Sequence, residues 1–333
     1  MYGQLINSSG DVKNRIFIED IKSNKSSIIM NEGESVNKIV EYGNSVYGCI
    51  STYDSLSSKG SVIIYVIEEF VEKIVKPIDK ELNYRINGNK KKYKYVISNW
   101  EKTKVLINEG KVEKINFVHF DERTIDARVK GIECPEAYIF PELINFNILS
   151  NIENPKRASL IEFSVNKWTC AKNNSQYVCL EFQKLIEMVI SNVECVGGFI
   201  TIDTMAAYCS FSAHERYVGL GYMNASENFD KYFRGYSWGN YLSKKHVELL
   251  GGIEKIKKEA PVYLVKTLSD DGAYLQLTEK AEEVSDEDLR KLKRYFQKIL
   301  PKASLMFFSS EASLRRMIID EDDELVYLEN MKK

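Results

Sequence analysis

The spacing of apolar positions changes partway along the chain. From Met1 to about Lys114, short apolar stretches with β-branched residues alternate with polar turns, which predicts strands rather than long helices. The clearest case is "ELNYRINGNKKKYKYVI". Leu82, Tyr84 and Ile86 alternate before Asn87-Gly88, and Tyr93, Tyr95 and Ile97 alternate after it, so a hairpin turning at that Asn-Gly pair is expected. A second hairpin is read at Glu109-Gly110, between Val105/Ile107 and Val112/Ile115. From Val62 to Ile78 an apolar run passes into "EEFVEKIVKP", and periodicity leaves open a strand or a helix ended by Pro77.

The later pattern is longer and cleaner. Tyr177 to Val196 sets Val178, Phe182, Leu185, Ile186, Val189, Ile190 and Val193 at helical spacing, with Gly197-Gly198 read as the stop and "FITID" as the following strand. "PVYLVKTLSDDGAYLQLTE" reads as a hairpin turning at Asp270-Asp271-Gly272. Ser285 and Asp288 form a capping-box pattern ahead of Leu289, Leu292, Phe296 and Ile299, and Pro301 ends that helix. The fold class expected is α+β: hairpin-rich, mostly antiparallel sheets with helices packed on one face. The expected organisation is a strand-rich α+β region at 1–114, a connecting region at 115–162, an α+β domain at 163–310 and an acidic tail at 311–333.

Composition narrows the class. With 333 residues, 44% hydrophobic and 28% charged, the chain has the make-up of a folded globular protein with room for a large core. Its formal charge of −2 provides no global field for nucleic acid or an anionic membrane, so no direct nucleic-acid or membrane partner is expected and any electrostatic partner must be met by a local patch. Residues 1–114 carry 18 Lys or Arg against 15 Asp or Glu, a mild excess. Lys90, Lys91, Lys92 and Lys94 are read as solvated guards against edge pairing rather than phosphate contacts. The start, "MYGQLINSSGDVK", has no basic segment followed by an apolar one, and the run Val62 to Ile67 is far short of the ~20 residues that cross a bilayer, so a cytoplasmic protein is expected. Six cysteines lack CxxC or metal-ligand spacing and are read as reduced and mostly buried.

Candidate chemistry is sparse. GxxxxGK[ST], GxGxxG, GxSxG and HExxH do not occur, and no cofactor, metal or catalytic set is assembled from the residues. The best acid–base or metal candidates are "HFDE", with His119, Asp121 and Glu122, and the adjacent pair His214-Glu215, because a carboxylate beside an imidazole orients it and raises its basicity. Two acidic runs are candidate partner-binding surfaces: Glu282, Glu283, Asp286, Glu287 and Asp288, and Asp320, Glu321, Asp322, Asp323 and Glu324 on the tail. Acids at a helix start also complement its dipole, and acidic tails also solubilise.

"RGYSWGNYLSKKHVELLGG" is the most individual stretch. Trp238, Tyr241 and Leu242 at i, i+3, i+4 would share one face of a helical turn, and Ser243 can cap a new helix with Val247 and Leu250 inward. Gly251 supplies a left-handed residue to close that helix, and Gly252 releases the chain. These are packing roles. The order of a helix closed by Gly197-Gly198, a strand, this W-x-x-[FY]-L segment with Trp238, Tyr241 and Leu242, a short helix ending in Leu250, Gly251 and Gly252, a hairpin and "LQLTEKAEEVSDEDLRKLKRYFQKILP" resembles the type VI immunity family of bacterial toxin neutralisers over about Phe163 to Leu305. The resemblance implies a non-enzymatic cytoplasmic protein that binds a cognate protein toxin, a nuclease being a frequent class, and blocks it by stoichiometric occlusion. The competing readings are a metal-assisted hydrolase using the His119 or His214 groups, and a scaffold that pairs with another chain through a free strand edge.

Overall fold

A computed structural model of the chain describes residues 3–6, 12–15, 17–20, 25–28, 44–52, 59–75, 83–88, 91–96, 100–109, 112–119, 144–149, 158–166, 175–204, 212, 214–215, 232–301 and 318. Two small hairpins come first, β1 (Gly3–Ile6) with β2 (Val12–Arg15) and β3 (Phe17–Asp20) with β4 (Lys25–Ile28). The rest is organised by one ten-stranded sheet. Its strands are β5 (Asn44–Thr52), β6 (Asn83–Gly88), β7 (Lys91–Val96), β8 (Val112–His119), β9 (Ile144–Leu149), β10 (Ser159–Asn166), β11 (Cys195–Thr204), β12 (Gly239–Leu242), β13 (Leu264–Thr267) and β14 (Ala273–Gln276). They lie in the order β13-β14-β12-β11-β5-β10-β9-β8-β6-β7, and every pairing is antiparallel. The α+β class is therefore observed, and the sheet takes strands from all of 1–114, 115–162 and 163–310.

Six α-helices accompany the sheet among the described residues: α1 (Gly60–Phe70), α2 (Trp100–Asn108), α3 (Ser175–Ile190), α4 (Lys244–Leu249), α5 (Ile253–Glu259) and α6 (Asp286–Phe296). The open Val62–Ile78 run resolves as α1 continued by a π turn, Val71–Val75, with Ile63, Val66, Ile67, Phe70 and Ile74 buried. Strand alternation defines the two faces. Gly48 of β5 lies under Phe182 of α3, and Phe70, Phe163 and Phe182 cluster at centroid distances of 5.4 to 6.4 Å, so Gly48, Ile50, Ile161 and Phe163 belong to the face covered by α1 and α3. On the alternate face, the Phe233 ring lies against Gly197 and makes edge contacts with His246 of α4 and Phe296 of α6, so those helices add a second cover there, refining the one-face expectation.

Three local expectations change. Val105 and Ile107 lie on α2, not on a strand, because the run from Trp100 puts Thr103 and Ile107 inward one turn apart. The β6–β7 hairpin forms, but its ladder continues through Gly88↔Lys91, so the turn lies beyond Asn87-Gly88. Gly197 and Gly198 do not stop α3, which ends at Ile190; both are inside β11. There a Cβ on Gly198 would stand 2.6 Å from the Cys49 carbonyl oxygen, so glycine is what allows β11 to approach β5 so closely. The Asp270-Asp271-Gly272 turn is present, with Leu268 N–H donating to Gly272 O at 3.0 Å and Asp271 at φ 62.

Candidate functional site

The Trp238–Gly252 stretch is built into the core. Trp238 and Tyr241 do not share a helical turn: Gly239–Leu242 is strand β12, held between β11 and β14 and buried at all four positions. With all four residues buried, both faces of β12 are covered, and a strand without polar alternation can mimic helical spacing. Trp238 donates its indole N–H to Thr278 O at 2.9 Å. Tyr241 lies against Tyr274 at 4.6 Å and donates its hydroxyl to Gln183 O of α3, and burial pushes both phenols well above their ordinary range. Leu242 is buried beside them. The cap at Ser243 is as read: its hydroxyl accepts from His246 N–H and starts α4, on which Val247 and Leu250 face inward while Lys244, Lys245 and Glu248 are exposed. Gly251 N–H donates to Glu248 O and Gly252 N–H to Val247 O, both 2.9 Å, with φ of 98 and 92, which is a Schellman closure that requires the left-handed residue at Gly251.

The His214-Glu215 pair is also engaged in packing. Glu215 receives Arg234 Nε at 3.1 and 3.2 Å and Nη2 at 3.1 Å, and accepts Ser212 N–H at 2.7 Å. This pair is almost wholly buried, at 2% and 0% exposure, so its charges depend on each other rather than on water. Ser212 closes the arrangement, its hydroxyl donating to Arg234 O and accepting Glu215 N–H at 3.0 Å. Arg234 Nη1 reaches Cys49 Sγ at 2.9 Å, and the guanidinium stands 5.4 Å over the Phe199 ring. Burial opposes the guanidinium charge, but Glu215 and its hydrogen bonds outweigh it and hold Arg234 protonated beyond its ordinary range. Burial pushes the Cys49 thiol up to about 12 against the pull of Arg234, and it pushes Cys195 up as well. His214 Nε2 meets Pro301 O at 3.2 Å with its ring against Tyr236. Imidazole and carboxylate, adjacent in sequence, are thus assigned to different partners. His119 occupies a β8 position opposite Ile144, and Asp121 and Glu122 lie outside the described residues. Among the described residues no group of three or more His, Cys, Asp or Glu could hold a metal ion.

Of the acidic candidates, Glu282 and Glu283 lie on the short 3-10 turn Ala281–Glu283, and Asp286, Glu287 and Asp288 make the first turn of α6. Glu282, Glu283, Asp286 and Glu287 are exposed, and Asp288 is half-buried. The capping box is complete: Ser285 Oγ accepts Asp288 N–H at 3.1 Å, and the Asp288 carboxylate accepts Ser285 N–H at 3.0 Å. Glu283 pairs with Lys280 at 3.2 Å and Glu287 with Arg290 at 2.9 Å, so part of this charge is used locally. Asp320 to Glu324 lie outside the described residues. What sequence reasoning missed is Arg234 itself: its partners Glu215 and Cys49 are 19 and 185 residues away, and no local spacing announces such a contact.

No family model matches the chain, and no curated protein matches its sequence. Among the described residues no helix is long and apolar enough to cross a membrane. The structure is similar to that of the Pseudomonas aeruginosa T6SS protein PA0821, with a TM-score of 0.53 and 14% identity over 85% of this chain and 81% of that one, a likeness of fold.

Proposed function

We propose that this chain is a binding protein of the immunity type: it acts in the cytoplasm, holds a cognate toxin in a stoichiometric complex and blocks it by occlusion, without catalysis and without a cofactor. The observation that carries this reading is the similarity of fold, over 85% of the chain, to a protein whose name assigns it to a T6SS. It is supported by the use made of the individual residues. Trp238, Tyr241, Leu242, Leu250, Gly251 and Gly252, which carry the family resemblance, maintain a shape, and the Glu215 carboxylate and His214 imidazole are engaged with Arg234 and Pro301.

The test is co-expression with the toxin encoded beside the gene, with complex formation measured by light scattering and growth measured in the same strains. Protection together with a 1:1 complex is expected. Neither binding nor protection overturns the proposal. A metal that co-purifies with the protein and is lost in His119→Ala would favour the hydrolase reading instead.

A further inference from the structure

The ten-stranded sheet ends at β13, which pairs with β14 on one side and has no strand on the other among the described residues. Two hydrogen bonds fix which of its main-chain groups face outward. Leu277 N–H donates to Trp238 O at 2.7 Å, so the odd-numbered residues of β14 bond to β12 and the even-numbered ones are left for β13. Leu268 N–H donates to Gly272 O at 3.0 Å, which carries the same alternation across. Leu264 and Lys266 therefore bond inward, and the N–H and C=O groups of Val265 and Thr267 point away from the sheet. The side chains are open as well: Tyr263 is 60% and Leu264 41% exposed, and Lys266 and Thr267 are exposed beside them.

Edge strands are ordinarily protected by a proline, a bulge or a projecting lysine. β13 contains no proline, its register with β14 is unbroken, and its one lysine is tied back to α3, Lys266 Nζ to Glu187 at 2.7 Å. The two ends of the strand differ in charge. α5 leads into it with Lys258 exposed and in no ion pair among the described residues. The turn that leaves it holds Asp270, whose carboxylate accepts Gly272 N–H at 3.0 Å.

We propose that β13 pairs with β13 of a second copy of this chain, antiparallel about a symmetry axis at Val265, so that two sheets join edge to edge. A row of alternating N–H and C=O groups is matched by another extended main chain. A second copy running antiparallel also brings unlike ends together: Lys258 of one copy and Asp270 of the other lie at the same end of the ladder. The register follows from the same groups. Outward groups bond only outward groups, so the axis passes through Val265, Lys266 or Thr267. At Lys266 two lysines would stand directly opposite, and at Thr267 each Val265 would meet Ser269, beyond the strand. At Val265 each Lys266 lies opposite Leu264 of the other copy, and Tyr263 lies opposite Thr267. The pairing does not draw on the binding function proposed above, and a toxin held by each copy keeps the 1:1 ratio.

The test is the mass of the full chain by sedimentation equilibrium over a wide range of concentration, with amide hydrogen exchange read at both extremes. The parent is expected to reach the mass of two chains, with exchange at Val265 and Thr267 slowed when it is concentrated. Leu264→Lys sets a lysine opposite Lys266 of the other copy and should weaken the dimer about tenfold. Leu249→Lys, the same change at a 49% exposed position on α4, should leave it as it is. Val265→Pro removes an outward N–H without touching the β14 ladder and should hold the chain monomeric. Circular dichroism and a thermal melt establish that each variant folds, and Leu264→Lys decides if Val265→Pro does not. A parent that stays monomeric at every concentration overturns the proposal. So does a dimer in which exchange at Val265 and Thr267 is not slowed, or one that Leu264→Lys leaves intact. Exchange slowed there only when the toxin is added overturns the assignment to a second copy in favour of a strand of the toxin.

Discussion

Arg234 joins parts of the chain that are distant in sequence. Its guanidinium is shared among Glu215, Cys49 and the Phe199 ring inside the protein. Arg234→Ala leaves the Glu215 carboxylate buried without its counter-charge and is expected to cost about 3–5 kcal/mol, measured by urea unfolding. Removing both charges in Arg234→Met with Glu215→Leu should cost clearly less, because no lone charge remains. Gly198→Ala forces a Cβ toward the Cys49 carbonyl oxygen and should cost about 1–3 kcal/mol by the same measurement. The thiols supply a pH dependence. Cys49 titrates near 9.0 when unfolded and at about 12 when folded, so its contribution is fully present below pH 9 and is lost as pH rises from 9 toward 12. The urea midpoint should therefore fall above pH 9, and Cys49 should resist a thiol reagent at pH 8 until the protein unfolds. Burial of small residues was legible from composition. The ion pair was not, since it joins positions that only the fold brings together.

At the level of elements, legibility followed the locality of the signal. The α6 capping box, the Schellman closure after α4 and the Asp-Asp-Gly turn are each written within a few residues, and each forms as read. Ser285→Ala should destabilise the protein by about 1 kcal/mol and Gly251→Ala by a similar amount, read from thermal melts. Where tertiary context decides, the pattern misled. Trp238 to Leu242 looks helical because a strand buried on both faces has no polar alternation. Val105 and Ile107 look strand-like although Trp100–Asn108 is helical, and the Gly-Gly pair looks like a helix stop although it permits a close strand approach.

For the whole molecule, the α+β class was legible from hairpins and capped helices, but the single sheet was not, because its centre joins distant segments. β5 lies between β10 and β11 and bonds to both along its length. More than a hundred residues separate Thr52 from Ser159, the start of the nearer neighbour. During synthesis, therefore, the emerging β5 has neither neighbour until the ribosome has moved far downstream, and through that interval its main-chain groups are open to any extended peptide nearby. A chain halted at residue 158 should accumulate in aggregates or on chaperones, whereas one completed through residue 301 should stay in the supernatant, a contrast readable by sedimentation of stalled and full-length products.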